Sequence, residues 1–186
     1  MQKVTRFAAA ALVALVPLGA CSQGADAPPA AESDGARETL AAAIGGAPGL
    51  TTLSDALSGA GLADVFDGPG SYTVLAPDDD AFASLGEDGK ALTDPANRAE
   101  LVAILRGHIL PGHLTPEAIK QAIADKKGPV KMRTLADSTV TFSADGDAIS
   151  IAGESGARAK VDGEALVASN GVVLPINGLV KAAPKS

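Results

Sequence analysis

The amino-acid sequence predicts an α+β domain. Between residues 40 and 105, apolar residues recur at spacings of three and four, which is the pattern of amphipathic helices. After residue 128 the pattern changes to short, β-branched segments separated by turn residues. Helices clustered first and strands clustered later favour an α+β fold over a doubly wound parallel sheet.

The predicted domain covers residues 36–183. A stretch of that length is the usual size of one domain and is long enough to bury most of its unfolded surface. No segment recurs at a fixed period, which disfavours a solenoid or a propeller. We therefore expect one globular domain with a single core.

The first twenty residues have the order of a bacterial secretion signal. Lys3 and Arg6 precede an apolar run over residues 7–16, as a charged n-region precedes an h-region. The run is shorter than the roughly 20 apolar residues that cross a bilayer. We interpret residues 1–20 as a signal peptide, which takes no part in the fold.

The segment LGAC, residues 18–21, resembles the lipobox of bacterial lipoproteins, and this implies that Cys21 carries a lipid. The alternative is an ordinary cleavage site beside an unmodified cysteine. Cys21 is the only cysteine, so an internal disulfide is excluded and lipidation is favoured. By resemblance to Gram-negative sorting rules, Ser22 favours the outer membrane. Residues 21–35, rich in Ala, Pro and Gly, are predicted to be a flexible tether.

The charge of the chain argues against nucleic acid as a partner. Residues 1–20 hold two basic residues and no acidic one, so their removal changes the net charge from −7 to −9. An acidic surface repels phosphate backbones, and four Phe, one Tyr and no Trp provide few platforms for base stacking. We expect no nucleic-acid partner.

The first half of the domain contains the clearest helical signals. Leu40 and Ile44 form one apolar pair at helical spacing, and Leu50, Leu53 and Leu57 form the next run. Gly59 and Gly61 are predicted to end that second helix.

A turn, a strand and a helix are predicted next. The turn is Gly68-Pro69-Gly70, and the strand is residues 71–75, which Pro77 is expected to break. Asp78 is predicted to cap the helix that contains Phe82. Asp79 and Asp80 suit the positive end of the same helix, so local capping accounts for the triple aspartate better than a calcium site does.

Two more helices begin with a capping side chain followed by proline. Asp94-Pro95 precedes a helix over residues 101–105, and Thr115-Pro116 precedes one over residues 119–123. Asp145-Gly146 predicts a hairpin turn in the β half. The predicted strands there are residues 130–134, 139–142, 148–151, 157–161, 166–168 and 172–175.

Three segments resemble the fasciclin-like domain family in order and spacing. Residues 73–82 (TVLAPDDDAF) are similar to its first block, in which a strand runs through Ala-Pro into a helix. Residues 105–112 (LRGHILPG) are similar to its Tyr-His motif, with Gly107 at the tyrosine position. Residues 169–180 (SNGVVLPINGLV) resemble its terminal block.

The resemblance implies a β-wedge, or a pair of small sheets, packed against several helices. It also implies an extracellular or surface module that mediates adhesion by binding protein, matrix or carbohydrate, and a bacterial member that is secreted or lipid-anchored. Loss of the tyrosine at Gly107 weakens the transfer of any interaction that needs an aromatic ring.

His108, Asn170 and Gly171 are the candidate motif residues, with either a structural or a binding role. His108 follows an apolar helix end, where a buried imidazole would bond backbone, and we favour that structural role over a binding one. The pairs Asn170-Gly171 and Asn177-Gly178 are interpreted as turns that use positive φ.

No catalytic, metal or cofactor site is predicted. The chain lacks a Gly-x-Ser-x-Gly elbow and a Cys–His pair, and Ser155 lies in a predicted turn. His108 and His113 are separated by Pro111-Gly112 and have no further ligand pattern around them.

Three functions follow from these observations. The first is a lipid-anchored, non-catalytic binding or adhesion module in the bacterial envelope, facing the periplasm or the exterior, with an unidentified protein or polysaccharide partner. The alternative is a carrier of a small apolar ligand, which the scarcity of aromatic residues disfavours. An envelope hydrolase ranks third.

Overall fold

We describe the protein from a computed structural model, and the description covers residues 38–181. The predicted signal peptide (1–20), Cys21 with its tether (21–35) and the outermost residues of the predicted domain lie outside the described residues and stay predictions. The helices are α1 Leu40–Gly46, α2 Thr51–Ala60, α3 Ala63–Asp67, α4 Asp79–Ala83, α5 Glu87–Thr93, α6 Arg98–Arg106 and α7 Pro116–Lys126. The strands are β1 Tyr72–Pro77, β2 Ile109–Pro111, β3 Val130–Arg133, β4 Thr139–Asp145, β5 Ala148–Gly153, β6 Arg158–Lys160, β7 Leu166–Ala168 and β8 Gly171–Ile176.

The strands form two four-stranded sheets. The first sheet has the order β2-β1-β8-β7, and the second has the order β3-β4-β5-β6. In the first sheet β1 and β8 are parallel, while β2 and β7 pair antiparallel at its edges. The second sheet is antiparallel throughout. The predicted α+β class, with small sheets packed against helices, is confirmed.

The first sheet is the middle layer of the domain. Val74, Ala76 and Val173 pack into a core with α1, α2 and α6, whereas Leu75 and Leu174 pack into a second core with the other sheet. Side chains alternate across a strand, so a strand that is buried on both faces needs apolar residues at successive positions. The run VVL in β8 meets that need.

The second sheet has one buried face. Its inner row consists of the cross-strand neighbours Val130, Phe142, Ile151 and Ala159, all of them buried. Helix α7 adds two isoleucines to the same core. The opposite face carries polar side chains that are exposed or half-buried.

Local signals place several element boundaries where they were predicted. Gly61, at φ 71°, ends α2, and the Thr115 hydroxyl accepts the Ala118 N–H at 3.2 Å to start α7. The turn between β4 and β5 has Gly146 at φ 62°, with Asp145 and Ala148 as its closing pair. Proline and glycine act here through local geometry, which is why sequence patterns find them.

Other boundaries differ from the prediction. Strand β1 continues through Pro77, because its pairing with β8 extends to that residue and the next N–H, that of Asp78, donates to Ile176 at 3.1 Å. Asp94 caps a short 3₁₀ turn, Pro95–Asn97, and only then does α6 begin. The predictions omitted α3 and α5, which are short and have no side-chain cap, and β2, which has three residues.

Candidate binding site

His108 lies between the end of α6 and the start of β2, and its side chain is 2% exposed. Its Nδ1 is 2.9 Å from the Ile104 carbonyl oxygen, and its Nε2 accepts the Val180 N–H at 3.0 Å. Since Nε2 accepts, Nδ1 carries the proton and donates to Ile104. The neutral ring therefore joins the end of α6 to the segment that follows β8.

Burial controls the protonation of His108. Loss of hydration lowers the pKa of the imidazole to about 4; the hydrogen bond to Ile104 opposes this shift, and the charge of Lys181 adds to it. At neutral pH both ring nitrogens are used inside the protein. His108 thus has no free nitrogen for proton transfer or for a metal shared with the exposed His113.

Gly107 leaves room for the side chain of Lys181. A Cβ at Gly107 would lie 2.6 Å from Lys181 Cδ and 3.1 Å from the Ile104 carbonyl oxygen. The lysine ammonium donates to the Ala103 carbonyl oxygen at 3.1 Å. A lysine stem therefore crosses the position where the resemblance places a tyrosine.

Asn170 ties the first sheet to two helices. Its Oδ1 accepts the Leu40 N–H at 2.8 Å at the start of α1. Its Nδ2 donates to the carbonyl oxygens of Phe66 at 2.5 Å and Gly68 at 2.9 Å, at the end of α3. One amide side chain thus satisfies backbone groups at two helix ends.

Asn170 lies in the tight turn that joins β7 to β8, where Ala168 pairs with Gly171, so the predicted turn is confirmed and only its predicted positive φ is wrong. Neither residue has a positive φ, and Gly171 is required for a different reason. A Cβ there would overlap the Tyr72 carbonyl oxygen and lie 2.5 Å from Leu40 Cδ1. Gly171 allows α1 and β1 to approach β8 closely.

The second pair, Asn177-Gly178, also lacks positive φ. The Asn177 side-chain oxygen accepts the Lys160 N–H at 2.9 Å, and the Asn177 N–H donates to the Lys160 carbonyl oxygen at 3.1 Å. A Cβ at Gly178 would lie 3.2 Å from the Arg158 carbonyl oxygen. This pair therefore joins the segment after β8 to the edge of the second sheet.

The aspartates are only partly explained by local capping. Asp78 caps α4 as predicted, accepting the Ala81 N–H at 2.6 Å. Asp79 instead caps α2, because its carboxylate accepts the Thr52 N–H at 2.7 Å and the Thr51 N–H at 3.4 Å. These bonds, the Thr52 backbone bond foremost, lower the pKa of Asp79. No spacing rule predicts a cap that comes from 27 residues away.

Thr73 is a structural residue that the sequence pattern did not reveal. It is fully buried in β1, where its hydroxyl donates to the Gly112 carbonyl oxygen at 2.7 Å and accepts the Leu114 N–H at 2.9 Å. In sequence it is indistinguishable from any β-branched strand residue. Pairing with β2 brings its partners close.

The outer face of the second sheet, formed by alternate residues of β3 to β6, is open and carries four cations and the carboxylate of Asp145. One cross-strand row is Lys131, Thr141, Ala152 and Arg158. The next row is Ser143, Ser150 and Lys160. A third pairs Arg133 with Thr139. All four cations are exposed, and the hydroxyl residues between them are half-buried.

An open cleft of about 400 Å³ lies at the β6 side of this face. Its lining includes Ser143, Ser150, Arg158, Lys160 and Asn177. Asp145 pairs with Lys160 at 2.7 Å, and both side chains are more than half exposed. The cleft is therefore accessible, and its lining combines polar and apolar side chains.

Two further clefts differ in chemistry. One of about 300 Å³ is lined by Gly107, Glu154, Lys181 and neighbouring residues. The other, about 280 Å³, lies among Leu50, Leu166 and Pro175. The apolar cleft is at the lower limit for a small-ligand site.

The described residues contain neither a metal-binding cluster nor a membrane-spanning helix. Within residues 38–181, His, Cys, Asp and Glu form no group of three or more that could hold a metal ion. None of the helices in that range is both long and apolar enough to span a bilayer.

Charge is distributed unevenly along the domain. Residues 38–105 hold eleven acidic and two basic side chains, whereas residues 106–181 hold eight acidic and nine basic ones. The helical half is therefore strongly acidic, and the half that contains the second sheet is close to neutral. The basic outer face lies in that second half.

Two small sheets, flanking helices and the internal hydrogen bonds of His108 and Asn170 define an α+β fold whose motif residues join its elements. The chain belongs to the fasciclin domain family, whose model matches residues 48–181.

The chain is similar to two curated proteins over most of its length. It is 29% identical to Protein sll1483 of Synechocystis over 143 residues, which are 76% of this chain and 72% of that protein. It is also 29% identical to the transforming growth factor-beta-induced protein ig-h3 of Sus scrofa, over 69% of this chain but only 17% of that much longer protein.

A solved structure shares the fold. A FAS1 domain pair from the insect cell adhesion molecule fasciclin I aligns with a TM-score of 0.69 at 14% sequence identity. The alignment covers 78% of this chain and 51% of that one. The fold, with its paired sheets and flanking helices, is thus a fasciclin fold.

Proposed function

We propose that this protein is a lipid-anchored fasciclin module that binds a protein, matrix component or polysaccharide outside the cytoplasm and catalyses no reaction. The proposal rests mainly on the hydrogen bonds that the side chains of His108 and Asn170 make inside the domain. Both side chains bond backbone groups that hold layers together, so the motif residues support a surface and do not form a reaction centre. The adhesion role named for fasciclin I supports the same function.

The proposed location rests on the sequence alone. The order of charged residues, apolar run and LGAC segment supports export and lipidation at Cys21. The following tether would then hold the domain a short distance from the membrane. The acidic helical half would be repelled by anionic headgroups, which favours presentation of the domain toward solvent.

Membrane fractionation tests the anchor. The wild-type chain should sediment with the envelope and be extracted by detergent, whereas Cys21→Ser should appear in the soluble fraction. Ser22→Ala is the matched control and should fractionate as wild type. Equal sedimentation of Cys21→Ser and wild type would contradict lipidation.

Pull-down from native envelope, with the anchored and tagged chain as bait, tests binding. We expect enrichment of an envelope protein or polysaccharide that an unrelated lipoprotein does not retain. The same preparation should release no product from ester, glycoside or phosphate substrates. Turnover of any of these substrates would contradict a purely binding function.

A further inference from the structure

We propose that the outer face of the second sheet binds an acidic polysaccharide, one whose sugars carry carboxylate or sulfate groups. This inference rests on the proposed function and adds the site and the class of ligand. It is carried by the arrangement of cations and hydroxyl groups on that face and by the charge of the rest of the domain.

The cations are spaced for an extended ligand. Lys131 and Arg158 lie at opposite ends of one cross-strand row. Three strand spacings separate them, which is a distance of about 14 Å. Arg133 lies about 7 Å from Lys131 on one side of that row, and Lys160 lies about 7 Å from Arg158 on the other side. Anionic groups repeated along a chain can meet several of these cations at once, which a single small anion cannot do.

The cations are available to a ligand. In the part of the chain that the structure describes, Lys131 and Arg158 have no ion-pair partner. Arg133 is 3.8 Å from Asp137, and Lys160 is 2.7 Å from Asp145. These two pairs are exposed, and exposed pairs are weak, so anions of a ligand can compete with them.

Hydroxyl groups fill the space between the cations. Thr141, Ser143 and Ser150 are half-buried on the same face, and their hydroxyl groups make no hydrogen bond to any other residue in the range 38–181. Hydroxyls can donate to and accept from sugar hydroxyls. The cleft beside Arg158 and Lys160 adds the Asn177 side chain to this set.

The same face does not suit bases or lipid tails. The phenylalanines within the described range, Phe66, Phe82 and Phe142, are buried, so the face has no ring on which a base could stack. The exposed large apolar residues of that range are Val65 and Val167, and neither belongs to the second sheet. Insertion into a bilayer therefore has no support here.

The acidic side chains of residues 38–105 restrict where on the domain a polyanion can bind. A polyanion is repelled from residues 38–105, which carry an excess of nine acidic side chains, and is attracted to the four cations of the outer face. Charge complementarity thus favours this face over the surface formed by residues 38–105.

Binding of the detergent-solubilised full chain to immobilised polygalacturonate and dextran sulfate, with neutral dextran as reference, tests the inference. We expect retention on both anionic polymers at low salt, loss at high salt, and no retention on dextran. Lys131→Gln combined with Arg158→Gln should weaken binding by about 10-fold. Asp145→Asn should strengthen it, because Lys160 is freed.

Lys120→Gln combined with Lys126→Gln is the matched control. It removes the same charge from α7, a helix that packs on the inner face of the same sheet, and should change binding by less than about 2-fold. Thermal melts should show that all three variants fold. Equal weakening by the two double variants would overturn the inference, since binding would then depend on net charge alone.

Two further arms separate the alternatives. Tighter binding to phosphatidylglycerol vesicles or duplex DNA than to either anionic polysaccharide would overturn the inference. Absence of polysaccharide binding, with an envelope protein still captured in the pull-down, would overturn the inference and leave the proposed function standing. Absence of both would contradict both.

Discussion

The two sheets of this domain have the same number of strands but different surroundings. The first sheet is packed on both faces, by helices on one side and by the second sheet on the other. Within residues 38–181 the second sheet is packed on its inner face only, and its outer face carries four exposed cations. The residues with the strongest motif signal, Asn170 and Gly171, lie at the first sheet.

This difference separates structural residues from candidate binding residues. In a sheet buried on both faces, each polar group needs a partner, and each close approach needs a small residue. Such positions tolerate few residue types, and some of them, such as Asn170 and Gly171, stand out in a sequence, whereas the buried Thr73 does not. The outer face of the second sheet has no such requirement, so its Lys, Arg, Ser and Thr look like ordinary surface residues.

The largest expected effect is that of Gly171→Ala. The added Cβ would overlap the Tyr72 carbonyl oxygen in the parallel neighbour β1, and backbone in a paired strand cannot move aside cheaply. We expect a loss of at least about 3 kcal/mol in the free energy of unfolding, measured by urea denaturation.

Gly46→Ala is the matched control, since nothing lies within 4 Å of an added Cβ there. It should leave stability unchanged or slightly higher. Equal losses in the two variants would mean that close packing at β8 is not what Gly171 provides.

Acid should destabilise the contact that His108 makes between α6 and the segment after β8. The folded-state pKa is about 4 and the ordinary value is 6.5, so between those pH values the unfolded chain binds a proton that the folded chain does not. Stability should start to fall as the pH drops below 6.5 and should have lost about 3 kcal/mol near pH 4. Urea denaturation at a series of pH values measures this loss.

Two histidine variants test whether His108 causes the loss of stability in acid. His113→Gln, at an exposed site, should retain the wild-type pH dependence. His108→Gln should be less stable at pH 7 and should lack the loss between pH 6.5 and 4. Retention of the full pH dependence in His108→Gln would assign it to other groups.

Asn170→Ala should cost about 2 to 3 kcal/mol, because it removes three hydrogen bonds worth about 1 kcal/mol each. Amide hydrogen exchange should speed up at the start of α1, where the Leu40 N–H loses its acceptor. Asn177→Ala, with one side-chain bond to backbone, should cost about 1 kcal/mol. Equal costs would remove the distinction between the two Asn-Gly pairs.

The smallest effect is expected at Asp79. Asp79→Ala removes the cap of α2 and should cost about 1 kcal/mol, measured by thermal denaturation. Because the folded-state pKa of Asp79 is lowered below 3.8, its contribution is present above that pH and is lost as the pH falls further. Asp80→Ala, at the exposed neighbour, should change stability less; the opposite order would contradict the tertiary cap.

Sequence patterns found features whose cause is local. Thr115 before Pro116, Asp78 before α4, Gly61 after α2 and the Asp145-Gly146 turn all act within a few residues, and each lies where it was predicted. The short helices α3 and α5 were missed because neither begins with a side-chain cap, whereas α4, which is as short as α3, was found from its Asp78 cap. The predicted strand ended at residue 75, whereas β1 continues to Pro77 because its pairing with β8 reaches that residue.

The sequence by itself determined the α+β class, the family, the helix caps and the expectation of export and lipidation at Cys21. These depend on residue order or on interactions along a short segment of chain. Only the tertiary structure decided why Gly171 must be glycine, which helix Asp79 caps, how both nitrogens of His108 are used and which cations share a face. Each of these depends on strands or helices far apart in the chain being brought within a few ångströms, as in the parallel pairing of β1 with β8.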